Sequence, residues 1–312
     1  MSEQRILLIG ANGQVGQELR KTLAPLGTLT AVARQQLDLT DLEAIAQTIG
    51  TLKPQLIVNA AAYTAVDKAE SEPKLAQRIN ADAPKAMATC AAECGAGLVH
   101  ISTDYVFPGT AASPRCETDN TGPLSVYGKT KLAGENAIRE ALNEHIILRT
   151  AWVYGTQGTG NFLKTMLRLG KDREELNVVS DQVGSPTWAK DIADAIAQLG
   201  KQITQKPANN PPANNTPDQS LYGTYHFTNS GAASWYDFAI AIFKEAKALG
   251  IPLNIQQVNP ITTAEYPTPA QRPAYSILNC QKISKRLGHT PPHWQESLHS
   301  MLQEFASATA SE

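Results

Sequence analysis

The chain begins its first apolar stretch at Arg5 and closes it with three glycines at every third position, Gly10-Ala-Asn-Gly13-Gln-Val-Gly16. Few folds begin this way. An apolar strand that ends in a glycine-permitted turn and passes directly into a helix is the first unit of a nucleotide-binding α/β sheet. Gly10 permits the turn out of the strand, Gly13 lets the backbone approach a phosphate, and Gly16 allows the helix to pack close to the strand. Gln14 and Val15 open that helix, whose unpaired N–H groups face an anion. These five residues are candidate contacts for a dinucleotide.

The rest of the first half repeats the pattern. Apolar runs at 5–10, 28–33, 55–62, 97–106 and 145–154 alternate with segments of helical periodicity at 14–23, 41–49, 74–93 and 126–142. Alternation of this kind implies a parallel sheet covered on both faces, a Rossmann-type doubly wound α/β fold over residues 1–155. Ligands of such sheets sit beyond the carboxyl ends of the strands, where Gly10, residues 60–64, 102–104 and 150–154 converge. Residues 156–312 are less regular, with helices expected at 161–170, 187–199, 234–250 and 294–305 and short strands at 177–180, 225–228 and 254–258. They predict a smaller C-terminal α+β lobe for substrate, from which about 176–200 and 222–230 can return to the main sheet. Residues 205–220 are rich in Pro and Asn and predict a flexible surface insertion.

Charge narrows the partners. With 27 basic and 29 acidic side chains the chain has no electrostatic footprint for nucleic acid or an anionic membrane. The start, Met-Ser-Glu-Gln-Arg, lacks the features of a signal peptide, and no apolar run reaches the length of a membrane span, so a cytoplasmic location is expected. Cys90, Cys94, Cys116 and Cys280 are too few for a disulfide framework and read as reduced structural thiols. His289 and His293 flank Pro291-Pro292, which breaks any helical metal-binding face.

A second motif supplies chemistry. Tyr127-Gly-Lys-Thr-Lys131 follows Ile101-Ser-Thr-Asp-Tyr105, and its Tyr and Lys share one face of the helix expected at 126–142. An ammonium beside a phenol favours phenolate, so Tyr127 is expected to have a lowered pKa and to pass its proton to a developing alkoxide. Lys131 is expected to hold the nicotinamide ribose as well, and Thr103 to polarise the same carbonyl oxygen. Without a metal, this is a hydride-transfer site. After the second strand the chain reads Ala33-Arg34, offering a cation where an acid would bind a ribose 2′-hydroxyl, so NADPH is favoured over NADH. Asp38, at the spacing of a ribose ligand, opposes that choice.

Several longer segments carry a resemblance. Asn59-Ala-Ala-Ala-Tyr-Thr-Ala-Val-Asp67-Lys-Ala-Glu, Ser102-Thr-Asp-Tyr-Val-Phe-Pro-Gly109, Pro123-Leu-Ser-Val-Tyr-Gly-Lys-Thr-Lys-Leu-Ala-Gly-Glu135, Arg149-Thr-Ala-Trp-Val-Tyr154 and Tyr266-Pro-Thr-Pro-Ala-Gln-Arg-Pro273 resemble the dTDP-4-dehydrorhamnose reductase family of extended short-chain dehydrogenases/reductases. The resemblance implies reduction of the C4 ketone of dTDP-4-dehydro-β-L-rhamnose by NADPH or NADH to give dTDP-L-rhamnose, the last step of dTDP-rhamnose biosynthesis for cell-surface polysaccharide. It also implies that Ala62, Tyr63 and Thr64 line the cofactor, and that Asp38 and Leu39 contact adenine. Thr103 and Asp104 would contact the sugar, Trp152 would pack on the deoxyhexose ring, and the Arg272 segment would close over the nucleotide diphosphate. Glu18 matches a position through which some members bind magnesium at a homodimer contact, although Lys190-Asp191 stands where further acids are wanted. Two other readings stay open: a different nucleotide-sugar reductase or epimerase, and a non-catalytic subunit like the one that regulates methionine adenosyltransferase. The intact Thr103, Tyr127 and Lys131 argue against the second.

Overall fold

The computed structural model describes residues 4–158, 160–205 and 221–309. β1 (Arg5–Ile9) leads through the glycine turn into α1 (Gln14–Leu23), followed by β2 (Thr28–Val32), α2 (Leu42–Leu52) and β3 (Leu56–Asn59). Two short helices, α3 (Val66–Ala69) and α4 (Pro73–Gln77), run through a π-helical turn at Arg78–Asp82 into α5 (Ala83–Cys94). Then come β4 (Gly97–Thr103), α6 (Val126–Ala141) and β5 (His145–Thr150). The second half contains β6 (Val153–Tyr154), α7 (Phe162–Asp172), β7 (Glu175–Val179), β8 (Val183–Gly184), β9 (Thr187–Trp188), α8 (Ala189–Thr204) and β10 (Gly223–His226). It ends with β11 (Ala233–Ser234), α9 (Trp235–Ala248), β12 (Gln257–Ile261), α10 (Gln281–Leu287) and α11 (Trp294–Thr309).

Six parallel strands form the central sheet in the order β10-β5-β4-β3-β1-β2. The order reverses between β1 and β3, which makes that edge-to-edge gap the switch point where a ligand cleft opens. β1 shows why the sheet is buried on both faces. Ile6 and Leu8 pack on one side with Leu19 and Leu23 of α1 and Ile192, Ile196 and Leu199 of α8, while Leu7 and Ile9 pack on the other with Ile45, Met87 and Ile138. A separate cluster of Leu163, Phe238, Ile242, Leu298, Met301 and Leu302 forms the core of the C-terminal lobe.

Three expectations change. The strand expected at 145–154 ends at Thr150, because Trp152 adopts a left-handed φ of 50° that no continuing strand allows. Val153 and Tyr154 then pair with Thr187 and Trp188, so the helix expected from 187 starts only at Ala189 and runs on to Thr204. β10 joins the main sheet beside β5, whereas β7 pairs with β12 in a two-stranded sheet of its own. The insertion expected at 205–220 lies outside the described residues apart from Gln205, which ends α8. Among the described residues no helix is long and apolar enough to cross a membrane.

Candidate active site

The carboxyl ends of β1, β3, β4 and β5 open into a cleft of about 740 Å³. It gathers Gly10, Gly13, Gln14 and Val15 with Arg34, Asp38 and Leu39, then Ala62, Tyr63 and Thr64, and finally Thr103, Asp104, Tyr127, Lys131 and Trp152. Gly16, Glu18 and Arg272 lie outside this lining.

At one end the lining is backbone. Gly10 has a φ of 89°, and a Cβ there would sit 2.7 Å from the Ala61 nitrogen. Gly16 lies beneath the turn, where a Cβ would come within 2.0 Å of the Gly10 carbonyl oxygen. α1 therefore begins directly against the strand end. Its N-cap, Gly13, makes no side-chain cap, and no acid stands in the first turn. The first N–H groups of the helix remain for an anion, which fits a dinucleotide pyrophosphate.

The adenosine end is more exposed. Arg34, with 77% of its side chain exposed, lies 3.9 Å from the Asp38 carboxylate. Asp38 Oδ1 accepts hydrogen bonds from the Thr40 backbone N–H and hydroxyl at 2.9 Å each, and these hold its carboxyl below the usual range. Beside them, the amide of Asn80 clamps the Tyr63 backbone at both its N–H (2.8 Å) and its carbonyl (3.2 Å). The Tyr63 hydroxyl donates to Glu72 at 2.7 Å.

At the other end the lining is buried side chain. Thr103 Oγ1 donates to Asp104 Oδ1 at 2.9 Å. Burial pushes the Asp104 carboxyl up to about 6, against hydrogen bonds from Thr103 and Ser276. Tyr127 meets the Tyr105 ring edge-to-face, with 5.5 Å between centroids. Burial also pushes its phenol up to about 12, with a Thr103 hydrogen bond pulling the other way. The lowered phenol pKa expected from Lys131 is thus corrected: desolvation raises it, Thr103 rather than Lys131 supplies the opposing pull, and the Lys131 amine is turned elsewhere. Lys131 is itself pushed down by burial to about 8, with Glu135 opposing. Its Nζ is turned towards β4, donating to the Ile101 carbonyl at 2.7 Å and lying 3.2 Å from His100 Nε2.

Beneath the pair lies a network that the sequence did not reveal. Glu135 accepts from Ser102 (2.6 Å), from Arg149 Nε and Nη2 (2.9 and 2.7 Å) and from Arg139 (2.7 Å). Burial alone would raise its carboxyl, but these donors hold it below the usual range. A signal was present: His100 and Ser102 alternate along one strand, and Lys131 and Glu135 are one turn apart on one helix. Strand period two matches helix period four once the two elements are known to pack.

Other candidates find different partners. Trp152 stacks on Trp235 with centroids 3.5 Å apart and planes within 3°, and a Cβ on Gly184 would lie 2.3 Å from the indole. Arg272 grips Asp67 of α3 with two hydrogen bonds, 3.0 and 2.7 Å, so the 266–273 segment is tied beside the cleft-lining Val66 and Lys68. Glu18 is buried and paired with Lys21 at 2.9 Å, and Lys190 pairs with Glu304. Among the described residues no group of three or more His, Cys, Asp or Glu could hold a metal, so the magnesium suggested by Glu18 has no support here.

A doubly wound sheet whose switch-point cleft joins a backbone anion cradle to a buried Tyr-Lys pair defines an oxidoreductase of the extended short-chain dehydrogenase/reductase class. Comparison with known proteins narrows this. The family model described as RmlD substrate binding domain matches residues 4–307. The chain is 47% identical over 309 residues to dTDP-4-dehydrorhamnose reductase of Escherichia coli (strain K12), covering 98% of this chain and 99% of that relative. A solved dTDP-4-dehydrorhamnose reductase from Clostridium acetobutylicum superposes with a TM-score of 0.86 at 40% identity, covering 97% of this chain and 99% of the other. One from Bacillus anthracis, in complex with NADP, gives 0.85 at 38% identity with the same coverage of 97% and 99%. The chain belongs to the dTDP-4-dehydrorhamnose reductase family.

Proposed function

We propose that the chain reduces the C4 ketone of dTDP-4-dehydro-β-L-rhamnose with NADPH to give dTDP-L-rhamnose, the last step of dTDP-rhamnose biosynthesis. One observation carries this reading: the α1 cradle and the Thr103, Tyr127 and Lys131 side chains meet in a single cleft. The NADP bound by the Bacillus anthracis relative supports the choice of cofactor. Residues 1–155 would carry the cofactor half of the site and 156–312 most of the substrate half.

When bound, NADPH supplies the hydride that reduces C4. Gly10, Gly13, Gln14 and Val15 would hold its pyrophosphate, with Gly16 keeping the helix close. Arg34 would take the 2′-phosphate, Asp38 and Leu39 would flank the adenine, and Ala62, Tyr63 and Thr64 would line the dinucleotide. Tyr127 protonates the oxygen at C4. A phenol pushed up to about 12 stays neutral at working pH, which is the form that reduction requires. The alkoxide is the stronger base, so the proton moves downhill. Thr103 turns its hydroxyl from Asp104 to the same oxygen, leaving the carboxyl of Asp104 to hold a sugar hydroxyl. Trp152, stacked on Trp235 and lining the cleft, would offer an apolar ring edge to a sugar that bears a methyl group.

Loss of reduced-cofactor absorbance with purified dTDP-4-dehydro-L-rhamnose, beside a panel of UDP- and GDP-linked 4-keto sugars, tests the reading. Turnover on the dTDP sugar is expected. Turnover confined to another nucleotide sugar would replace the substrate, and cofactor binding with no ketone reduction would point to a regulatory subunit.

A further inference from the structure

His100 is buried, 1% exposed, yet it serves no step described above. It stands opposite Asn59 in the β3–β4 register and below Lys131 of α6. Its hydrogen can be placed by working up from the backbone. Asn59 Oδ1 accepts from the Ala61 N–H at 3.1 Å, so the oxygen of that amide is identified by a donor that cannot change. The other end of the amide is therefore the NH₂ group, and it faces His100 Nδ1 at 3.0 Å. Nδ1 must be the acceptor. Burial, with the charge of Lys131 adding to it, holds His100 well below its usual pKa, so the ring is neutral and its single hydrogen is on Nε2. That N–H points at Lys131 Nζ, 3.2 Å away. A charged ammonium would set N–H against N–H, whereas a neutral amine accepts through its lone pair.

We propose that His100, with its tautomer set by Asn59, is a positioning residue for Lys131: it holds the amine against β4 and opposes its charged form. The inference rests on the reading of Lys131 as part of the reductase site. The other groups around Lys131 do not duplicate this effect. Glu135 on α6 favours the charged form, but Arg149 from β5 and Arg139 take most of its oxygens. Asp104 and Tyr105, from the turn after β4, face Tyr127. Burial lowers Lys131 to about 8, and an Nε2–H aimed at Nζ from 3.2 Å would act in the same direction.

Two substitutions separate contact from folding. Asn in His100→Asn offers an amide oxygen to Asn59 but falls short of Lys131, while Gln in His100→Gln extends an N–H back towards the amine. NMR titration of isotopically labelled lysine, in protein without added cofactor and with the Lys131 signal identified by its loss in Lys131→Met, reads the protonation directly. The midpoint should rise by roughly 0.5–1 unit in His100→Asn and return towards the wild-type value in His100→Gln. Asn59→Asp accepts from Nδ1–H, moves the free lone pair to Nε2 and should raise the midpoint too, which covers the case in which His100→Asn does not fold. The basic limb of the kcat/KM profile should move with these midpoints. An unmoved midpoint across all the variants overturns the inference even if the enzyme is fully active. An inactive wild type whose midpoint nevertheless shifts in the variants counts against the reductase reading alone.

Discussion

The two ends of the cleft recognise their ligands by opposite means. At the α1 end the chain withdraws its side chains: Gly10 and Gly16 let backbone approach where a Cβ would collide, and the first turn of the helix offers its N–H groups without a side-chain cap. At the α6 end it buries titratable groups one on another, with Asp104 raised to about 6, Tyr127 to about 12 and Lys131 lowered to about 8. The first end can fail only by geometry and should be indifferent to pH. The second can fail by protonation while its geometry stays intact. A sheet with one cleft can thus bind with its backbone and do chemistry with its side chains.

The sharpest way to break this contrast is at Tyr127. Tyr127→Phe removes the proton donor and nothing from the cradle, so kcat should fall by roughly 10²–10⁴ with NADPH affinity nearly unchanged. Steady-state kinetics beside a fluorescence titration of cofactor would show it, and near-normal turnover would remove Tyr127 from the mechanism. Gly16→Ala is the converse test. Its Cβ meets the Gly10 carbonyl, so the turn must move and NADPH affinity should drop by about 10²-fold at every pH. An affinity within a factor of about three would mean that the close approach is not needed.

A smaller effect is expected in stability. Asp104 titrates near 6 in the folded chain and near 4 in the unfolded one, so the fold favours the protonated form. The resulting penalty is absent below the unfolded value, grows as pH rises to about 6 and is constant above it. Asp104→Asn keeps the acceptor for Thr103 and removes the charge. It should raise stability at pH 7 by about 3 kcal/mol and leave it nearly unchanged near pH 3, while turnover falls. Denaturant unfolding at both pH values checks the sign, and an equal gain at both would rule out the linkage. The smallest effect belongs to the exposed Arg34. Arg34→Ala should raise the KM for NADPH by about threefold to tenfold and leave that for NADH within about twofold. Equal changes for both would return Asp38 to consideration as the ribose ligand.

The sequence disclosed the backbone end better than the buried end. Glycines at every third position after an apolar run have one economical structural meaning, and Gly10 and Gly16 occupy the tight positions that spacing implies. Tyr127 and Lys131 were also legible, because helical spacing alone places them on one face. What Lys131 touches was not. Its partners Ile101 and His100 come from β4, and that packing is set by the sheet order rather than by any local pattern. The pKa of Tyr127 was misread for the same reason: local sequence shows which charges are near a group, but not how dry the group is. The break at Trp152 escaped because a left-handed residue inside an apolar run leaves the run looking continuous. Glu135 and Arg149 stand on different elements, a helix and a strand, and only the fold buries them against each other.

Hydride and proton should arrive at the sugar from different sources, and isotopic labelling distinguishes them in one measurement. NADPH carrying deuterium at the transferable position is incubated with the protein and dTDP-4-dehydro-L-rhamnose, and the product is examined by NMR. The expected result is dTDP-L-rhamnose with one deuterium bound to C4 for each cofactor oxidised. A product without deuterium at C4, or cofactor bound with no product formed, would contradict reduction at this site.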